Sequence, residues 1–311
     1  MYYPFFRARQ FELIALRELA IEKITQGYIV PILEPVKESF SSINIAYKVF
    51  QEQNQHAYLI VNPTVGDLPG DNNDFLNYIE GLDETTIRPA FHYSNNANYI
   101  RQSILDYTLN NCMIICQNDV NSEDTEFKNL VQSSQVSAIN FEDPGRNRTL
   151  HRFLKGLNKT YIRLDDLFEK QDRNSDFLNI SEHRFSEEHL YYSEDGFNGF
   201  SDYTVLPSEY SDSGSTPRAV VIHLTYLNIL NQILIRHFTS ETNDSIANVQ
   251  GKFAEAAEKA VQYCRSNNLS NSAIQELESY FDEAHYPGLG LVKKISIKNH
   301  LLIVGQYLRT Q

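Results

Sequence analysis

Short apolar runs, each ending on a polar or charged residue and most followed by residues at helical spacing, recur through the first two thirds of the chain. The stretch Tyr28 to Val36 (YIVPILEPV) shows the form: it is too short for a buried helix, rich in β-branched residues, and it meets a carboxylate and a proline near its end. Ala57 to Pro63, Thr86 to His92, Cys112 to Gln117, Val136 to Asp143 and Thr160 to Asp165 repeat it, and Tyr2 to Phe6 opens the series. Between them lie helix-like segments. Leu13, Leu16 and Ala20 share one helical face, extended by Ile24 before Gly27; Ser39 is a plausible cap ahead of Ile43, Ala46, Tyr47 and Phe50; Tyr99, Ile100 and Ile104 mark a later helix. One strand and its helix take about thirty residues, as a βα unit requires.

Seven such units and a further strand at Phe200 to Leu206 make eight, so a TIM-like (β/α)8 barrel is the expected α/β fold. An open doubly wound parallel sheet is the alternative, but it would usually carry a glycine-rich phosphate loop after its first strand, and none is present. After Asp165 the rhythm breaks. Residues 166–199 read as a polar insertion, Ser208 to Pro217 as a loop, and Ala219 to Phe238 as either a hairpin of two β-branched arms or one long helix. Residues 240–311 read as a helical extension that packs on the barrel, including a helix from Lys252 to Arg265 and an apolar tail, LLIVGQYL, so 1–311 is expected to form one domain.

Composition narrows the function classes. A net charge of −13 opposes direct binding to nucleic acid or anionic membranes, which need a cationic surface. The best candidate for a local basic patch, Lys293, Lys294 and Lys298, reads as a solvated face. No run of about 18 apolar residues suggests a membrane span, and the N-terminal order of aromatic before basic residues does not suit a secretory signal, so a cytoplasmic protein is expected. Cys112, Cys116 and Cys264 are an odd number; Cys112 and Cys116 would point to one face of a strand, as small core residues. Patterns for a Ser-His-Asp hydrolase, an HExxH metalloprotease, a P-loop or a CxxC pair are not found.

In a parallel barrel the C-terminal strand ends converge on one mouth, where ligands bind. Those ends carry Arg7, Glu34, Asn62, His92, Gln117, Glu142 with Asp143, Arg163 with Asp165, and Asp202. Glu34, His92 and Glu142 are the expected acid–base residues, with Arg7, Asn62, Arg163, Asp202 and His223 binding a small anionic or phosphorylated molecule. In a second arrangement Glu34, His92, Glu142 and Asp165 would hold a divalent metal. Purely structural roles compete: Glu34-Pro35 and Asp143-Pro144 as turn starts, and Arg7 with Glu12 as an ion pair. His223 and His237 sit in apolar runs and read as hydrogen-bonded core residues, one in each arm, whereas His183, His189, Tyr191 and Tyr192 mark a lid or partner surface.

The segments Tyr3-Pro4-Phe5-Phe6-Arg7, Gln10-Phe11-Glu12 and Ile32-Leu33-Glu34-Pro35 resemble the bacterial and phage group called beta family proteins, as do Asp202-Tyr203, Ile222-His223-Leu224 and Arg236-His237-Phe238. Where much of that group has glycine after the arginine, this chain has Ala8. The resemblance implies a barrel-like fold and a prokaryotic or phage setting, often in defence-related gene clusters beside a small nuclease-like protein. It implies no particular reaction. Two readings therefore stand: an enzyme with its site at the mouth, or a non-catalytic subunit of an anti-phage defence pair that regulates or recruits a partner nuclease.

Overall fold

The structure is a computed structural model and describes residues 1–24, 26–71, 73–117, 120–212 and 216–311; residues 213–215 of the expected loop from Ser208 to Pro217 lie outside that set. Among the described residues, eight strands run parallel in one sheet. They are β1 (Phe5–Phe6), β2 (Ile32–Leu33), β3 (Ala57–Ile60), β4 (Ile87–His92), β5 (Cys112–Cys116), β6 (Val136–Glu142), β7 (Thr160–Asp165) and, after one strand that leaves the sheet, β9 (Gly199–Asp202). Each pairs with the next in that order. Tyr2 closes the ring through parallel bridges to Ile29 and Phe200, with Tyr3 N donating to Phe200 O at 2.8 Å. The sheet is a barrel.

Helices α1 (Gln10–Glu22), α2 (Ser41–Gln53), α3 (Asp74–Glu80), α4 (Ala97–Asp106), α5 (Thr125–Gln132) and α6 (Arg148–Lys155) follow the first six strands. The residue capping α2 is Phe40 rather than Ser39, and Ser39 Oγ instead accepts from Ser41 N at 3.4 Å. Alternation along the strands separates two apolar layers. Phe5, Ile32, Ile60, Ala90, Ile115 and Leu164 point inward and fill the barrel, while Leu33, Leu59, Phe91 and Ile139 point outward beneath the helices. Cys112 and Cys116 belong to the outer layer as buried free thiols.

No helix of the usual kind follows β7. The chain makes a 3-10 turn (Asn174–Leu178), the strand β8 (Glu182–Ser186) and the short α7 (Glu188–Tyr191) before returning as β9. Residues 219–238 form a hairpin, β10 (Val221–Leu227) and β11 (Ile233–Thr239), and β8 joins β11 to complete a three-stranded antiparallel sheet. The helices α8 (Val249–Ser266), α9 (Ser272–Asp282) and α10 (Leu289–Arg309) end the chain. Helix α10 takes the place of the missing eighth barrel helix. It packs on α1 and β10, and His300 on it meets the outward side chain of Tyr2 at the β9–β1 seam, Nε2 to Oη 3.1 Å.

That docking corrects the expectation of a solvated lysine face. Lys294 and Lys298 are buried: Lys294 meets Glu18 at 2.9 Å and Glu276 at 2.6 Å, Lys298 meets Glu18 at 2.9 Å and Glu22 at 2.7 Å. A buried ammonium is tolerable only when paired, and α1 and α9 supply the carboxylates. Lys293 likewise meets Glu12 at 2.9 Å, so Glu12 is the partner of α10 and not of Arg7.

Candidate functional site

Strand parity decides which strand-end residues reach the mouth. Continuing the inward set beyond the strands gives Arg7 after Phe5, Glu34 after Ile32, Asn62 after Ile60, His92 after Ala90, Gln117 after Ile115 and Glu142 after Ala138. Arg163 alternates with the inward Ile162 and Leu164, and Asp202 with Tyr203, so these two leave the barrel wall on its outer side, while Asp165, at the very end of β7, reaches the rim of the mouth.

The inward residues of the first four strands form one closed network. Glu34 is fully buried, and its Oε1 accepts from Thr64 N at 2.6 Å, Thr64 Oγ1 at 2.9 Å and His92 Nε2 at 3.1 Å. Its Oε2 accepts from Arg7 Nη1, and Arg7 Nη2 donates to Ser208 O at 2.5 Å. Asn62 clips the backbone of His92 from both sides, Oδ1 accepting from His92 N at 2.8 Å and Nδ2 donating to His92 O at 3.0 Å. Burial and the Arg7 charge pull His92 down to about 3, so the ring is neutral and its Nε2 carries the proton that it shares with the carboxylate. Four donors, three on Oε1 and Arg7 on Oε2, make the Glu34 carboxylate the tie that joins these strand ends.

Glu142 has the opposite surroundings. It lies on a cavity of about 360 Å³ at the mouth, lined also by Gln117, Asp143, Arg146, Asn147, Asp165 and Asp166. Asp143 sits in the left-handed region, φ 45°, which turns the chain sharply between β6 and α6. Asn147 then caps α6, accepting from Leu150 N at 3.1 Å while its Nδ2 donates to Val120 O at 2.8 Å. Partial burial, followed by the charges of Asp166, Asp143 and Asp165, pushes Glu142 up to about 7. Tyr203 lies between this cavity and the closed network: its hydroxyl accepts from Gln117, and the Arg7 guanidinium stands 5.8 Å from its ring centre.

The remaining expected residues lie elsewhere. Arg163, on the outer side, binds the rim residue Asp165 (Nε to Oδ2 2.7 Å) and approaches Glu188 at 3.3 Å. Asp202 is buried against α10, where Oδ1 accepts from Tyr2 Oη at 2.5 Å and Thr204 N at 2.7 Å; burial raises it to about 7. His223 is on β10, its Nδ1 2.6 Å from His237 Nδ1. The grouping of Glu34, His92, Glu142 and Asp165 around a metal is not formed. Among the described residues no group of three or more His, Cys, Asp or Glu side chains is placed to hold a metal ion. Thr64, Arg146, Asn147, Asp166 and Tyr203 were not expected in the site. Parity from Ser201 points to Tyr203, and the cap rule points to Asn147.

A closed ring of parallel strands, polar inward residues at its C-terminal rim and a cavity between them make this a (β/α)8 barrel protein with a mouth of small-molecule size. No protein-family model matches the chain, and no curated protein matches it in sequence. Among solved structures it is similar to N-acetylneuraminate lyase from Fusobacterium nucleatum complexed with pyruvate, at 10% identity over 97% of this chain and 95% of that one, TM-score 0.44. It is similar also to CdNal from Clostridium difficile in complex with mannosamine, at 11% identity over 96% and 97% of the two chains, TM-score 0.39. Likeness at this level says nothing of the site or of a reaction.

Proposed function

We propose that the protein is a barrel enzyme that performs acid–base chemistry on a small polar molecule bound at the mouth, with Glu142 as the proton carrier. The observation that carries this reading is an inward carboxyl at a strand end, on a cavity, held near neutral pH by burial and three carboxyl neighbours. Such a group both gives and takes a proton at pH 7. The cavity charge revises the ligand class. Glu142, Asp143, Asp165 and Asp166 line the cavity with Arg146 as the one lining cation among the described residues; Arg7 and Arg163 do not line it, being engaged by Glu34 and, from behind the rim, by Asp165. A neutral or cationic polar molecule, a polyol or an amine, suits that lining better than the anionic or phosphorylated one expected from the strand ends. The test is an NMR titration of the Glu142 carboxyl together with a thermal-shift panel of polyols, amines and sugar phosphates. A midpoint near 7 and protection by the first two classes, lost in Glu142→Gln, is expected; a midpoint near 4.5, or protection by phosphates alone, overturns the proposal.

A second reading, a non-catalytic subunit acting on a partner protein, is supported by the β10–β11 turn. Ile229 and Leu230 at its tip are 98% and 65% exposed, although the turn is held firmly, with Asn231 O bound to His189 Nε2 at 2.7 Å. An ordered apolar tip beside the 166–199 insertion fits a protein contact, and the resemblance to beta family proteins makes a nuclease-like neighbour the partner to try. Co-purification that survives Ile229→Asp with Leu230→Asp would remove this surface from the interaction.

A further inference from the structure

A second cavity, of about 320 Å³, lies between the start of the insertion, the residues after β9, the β10 arm and α10. Its walls are mostly apolar, among them Phe168, Phe177, Leu206, Val220 and Val292. One polar ring stands in this lining. His223 packs edge-on against Phe168 and Phe177, with ring centres 5.2 and 4.9 Å away. It is only partly exposed, and it borders this cavity.

The proton positions follow from its neighbour. His223 Nδ1 and His237 Nδ1 are 2.6 Å apart, so one donates and the other accepts. Burial and the adjacent His183 depress both rings, His223 to about 3, and both are neutral at pH 7. His237 Nε2 is buried with no partner. Were His223 the donor, His237 would have to carry its proton on that enclosed Nε2, leaving an orphaned N–H; with His237 as donor only a lone pair is left unpaired, the less costly arrangement. His223 then holds its proton on Nε2, which makes no hydrogen bond among the described residues and is not sealed off from the cavity.

We infer that this cavity is a binding site for a small apolar monocarboxylate, its tail against the Phe168–Phe177 ring pair and its carboxylate accepting from His223 Nε2. Lys170 and Lys293 on the rim add positive potential, but each already meets a carboxylate, Glu209 and Glu12, which leaves the imidazole N–H as a donor of this lining with no other partner among the described residues. The volume is at the lower end for small-molecule pockets, about 300–1,000 Å³, which fits a chain of some eight carbons and excludes larger lipids.

Octanoate, octanol and octylamine titrated into the full chain test the assignment, with NOEs sought from the octanoate methyl to the rings of Phe168 and Phe177. Octanoate is expected to bind tightest and to show those NOEs. His223→Phe keeps the ring and removes the donor, and should weaken octanoate about tenfold, the effect of one hydrogen bond, while changing octanol little. Tightest binding of octylamine, octanoate affinity indifferent to His223→Phe, or bound octanoate without NOEs to either ring would each overturn it. Where the variant fails to fold, the ligand order and the NOEs in the unaltered chain decide alone.

Discussion

Glu142→Gln separates a working carboxyl from a structural one through stability alone. In the folded protein Glu142 titrates near 7 instead of near 4.5, because burial and three carboxyl neighbours oppose its charge. Between those two values the folded chain holds a proton that the unfolded chain has released, so stability falls as pH rises from about 4.5 to about 7 and the loss is complete above that. At about 1.4 kcal/mol per pH unit the full effect in an enclosed site would be about 3 kcal/mol; the side chain is partly open to solvent, and screening reduces this to about 1–2 kcal/mol. Glutamine has no charge to oppose. Urea unfolding should therefore find the variant and the parent nearly equal at pH 5 and the variant more stable at pH 8 by about 1–2 kcal/mol, or about 2–4 °C in Tm for a chain of this size. Comparing the same pair at two pH values cancels every other titrating group. A difference that does not change with pH, or that favours the parent at pH 8, refutes the reasoning.

Glu34→Gln should do the reverse at any neutral pH: it leaves the Arg7 guanidinium without its buried partner and costs about 3–5 kcal/mol in urea unfolding, whereas a loss below about 1 kcal/mol would deny the network its structural role. Ala8 is held at φ 49°, a left-handed conformation that glycine adopts freely, so Ala8→Gly should raise stability by about 1 kcal/mol, and a fall in Tm would count against that backbone strain. Gly199→Ala should destabilise by about 1–3 kcal/mol, since a Cβ there would come within 2.5 Å of the Tyr3 ring and 2.9 Å of Met1 O at the seam that closes the barrel; an unchanged unfolding midpoint would show that the seam can give way.

The barrel was legible because its signal is carried by many residues at once: apolar runs that recur at βα spacing leave few other folds. The assignment of residues to the mouth needed one step more, which is parity. Ile162 and Leu164 flank Arg163, and a strand that buries the first two inside the barrel must turn the third out, so the sequence held the information that removes Arg163 and Asp202 from the mouth. Other features were not readable in that way. Strand β8 is EHRFS, a polar segment that becomes a strand only because β11 offers it an edge. Lys294 and Lys298 are buried by α1 and α9, whose approach no local pattern announces. Asp166 looked like the first residue of an insertion, yet it lines the cavity and is the largest charge contribution to the raised Glu142.

Glu34 and Glu142 are both carboxyls at strand ends, both inward and each followed within two residues by a proline, and sequence pattern alone cannot rank them. Their neighbours do. Strands β1 to β4 surround Glu34 with a guanidinium, an imidazole, a hydroxyl and a backbone N–H, which satisfy the charge and tie the strand ends together. Strands β6 and β7 surround Glu142 with carboxyl groups, which leave its charge opposed and its proton transferable. One half of the mouth thus spends its polar groups on rigidity, and the other keeps them available. Because Tyr203 packs under Arg7 and accepts from Gln117, the rigid half also fixes a wall of the open half. A defect at Glu34 should accordingly reach the Glu142 cavity through the position of Tyr203, by shape, without any proton passing through Glu34.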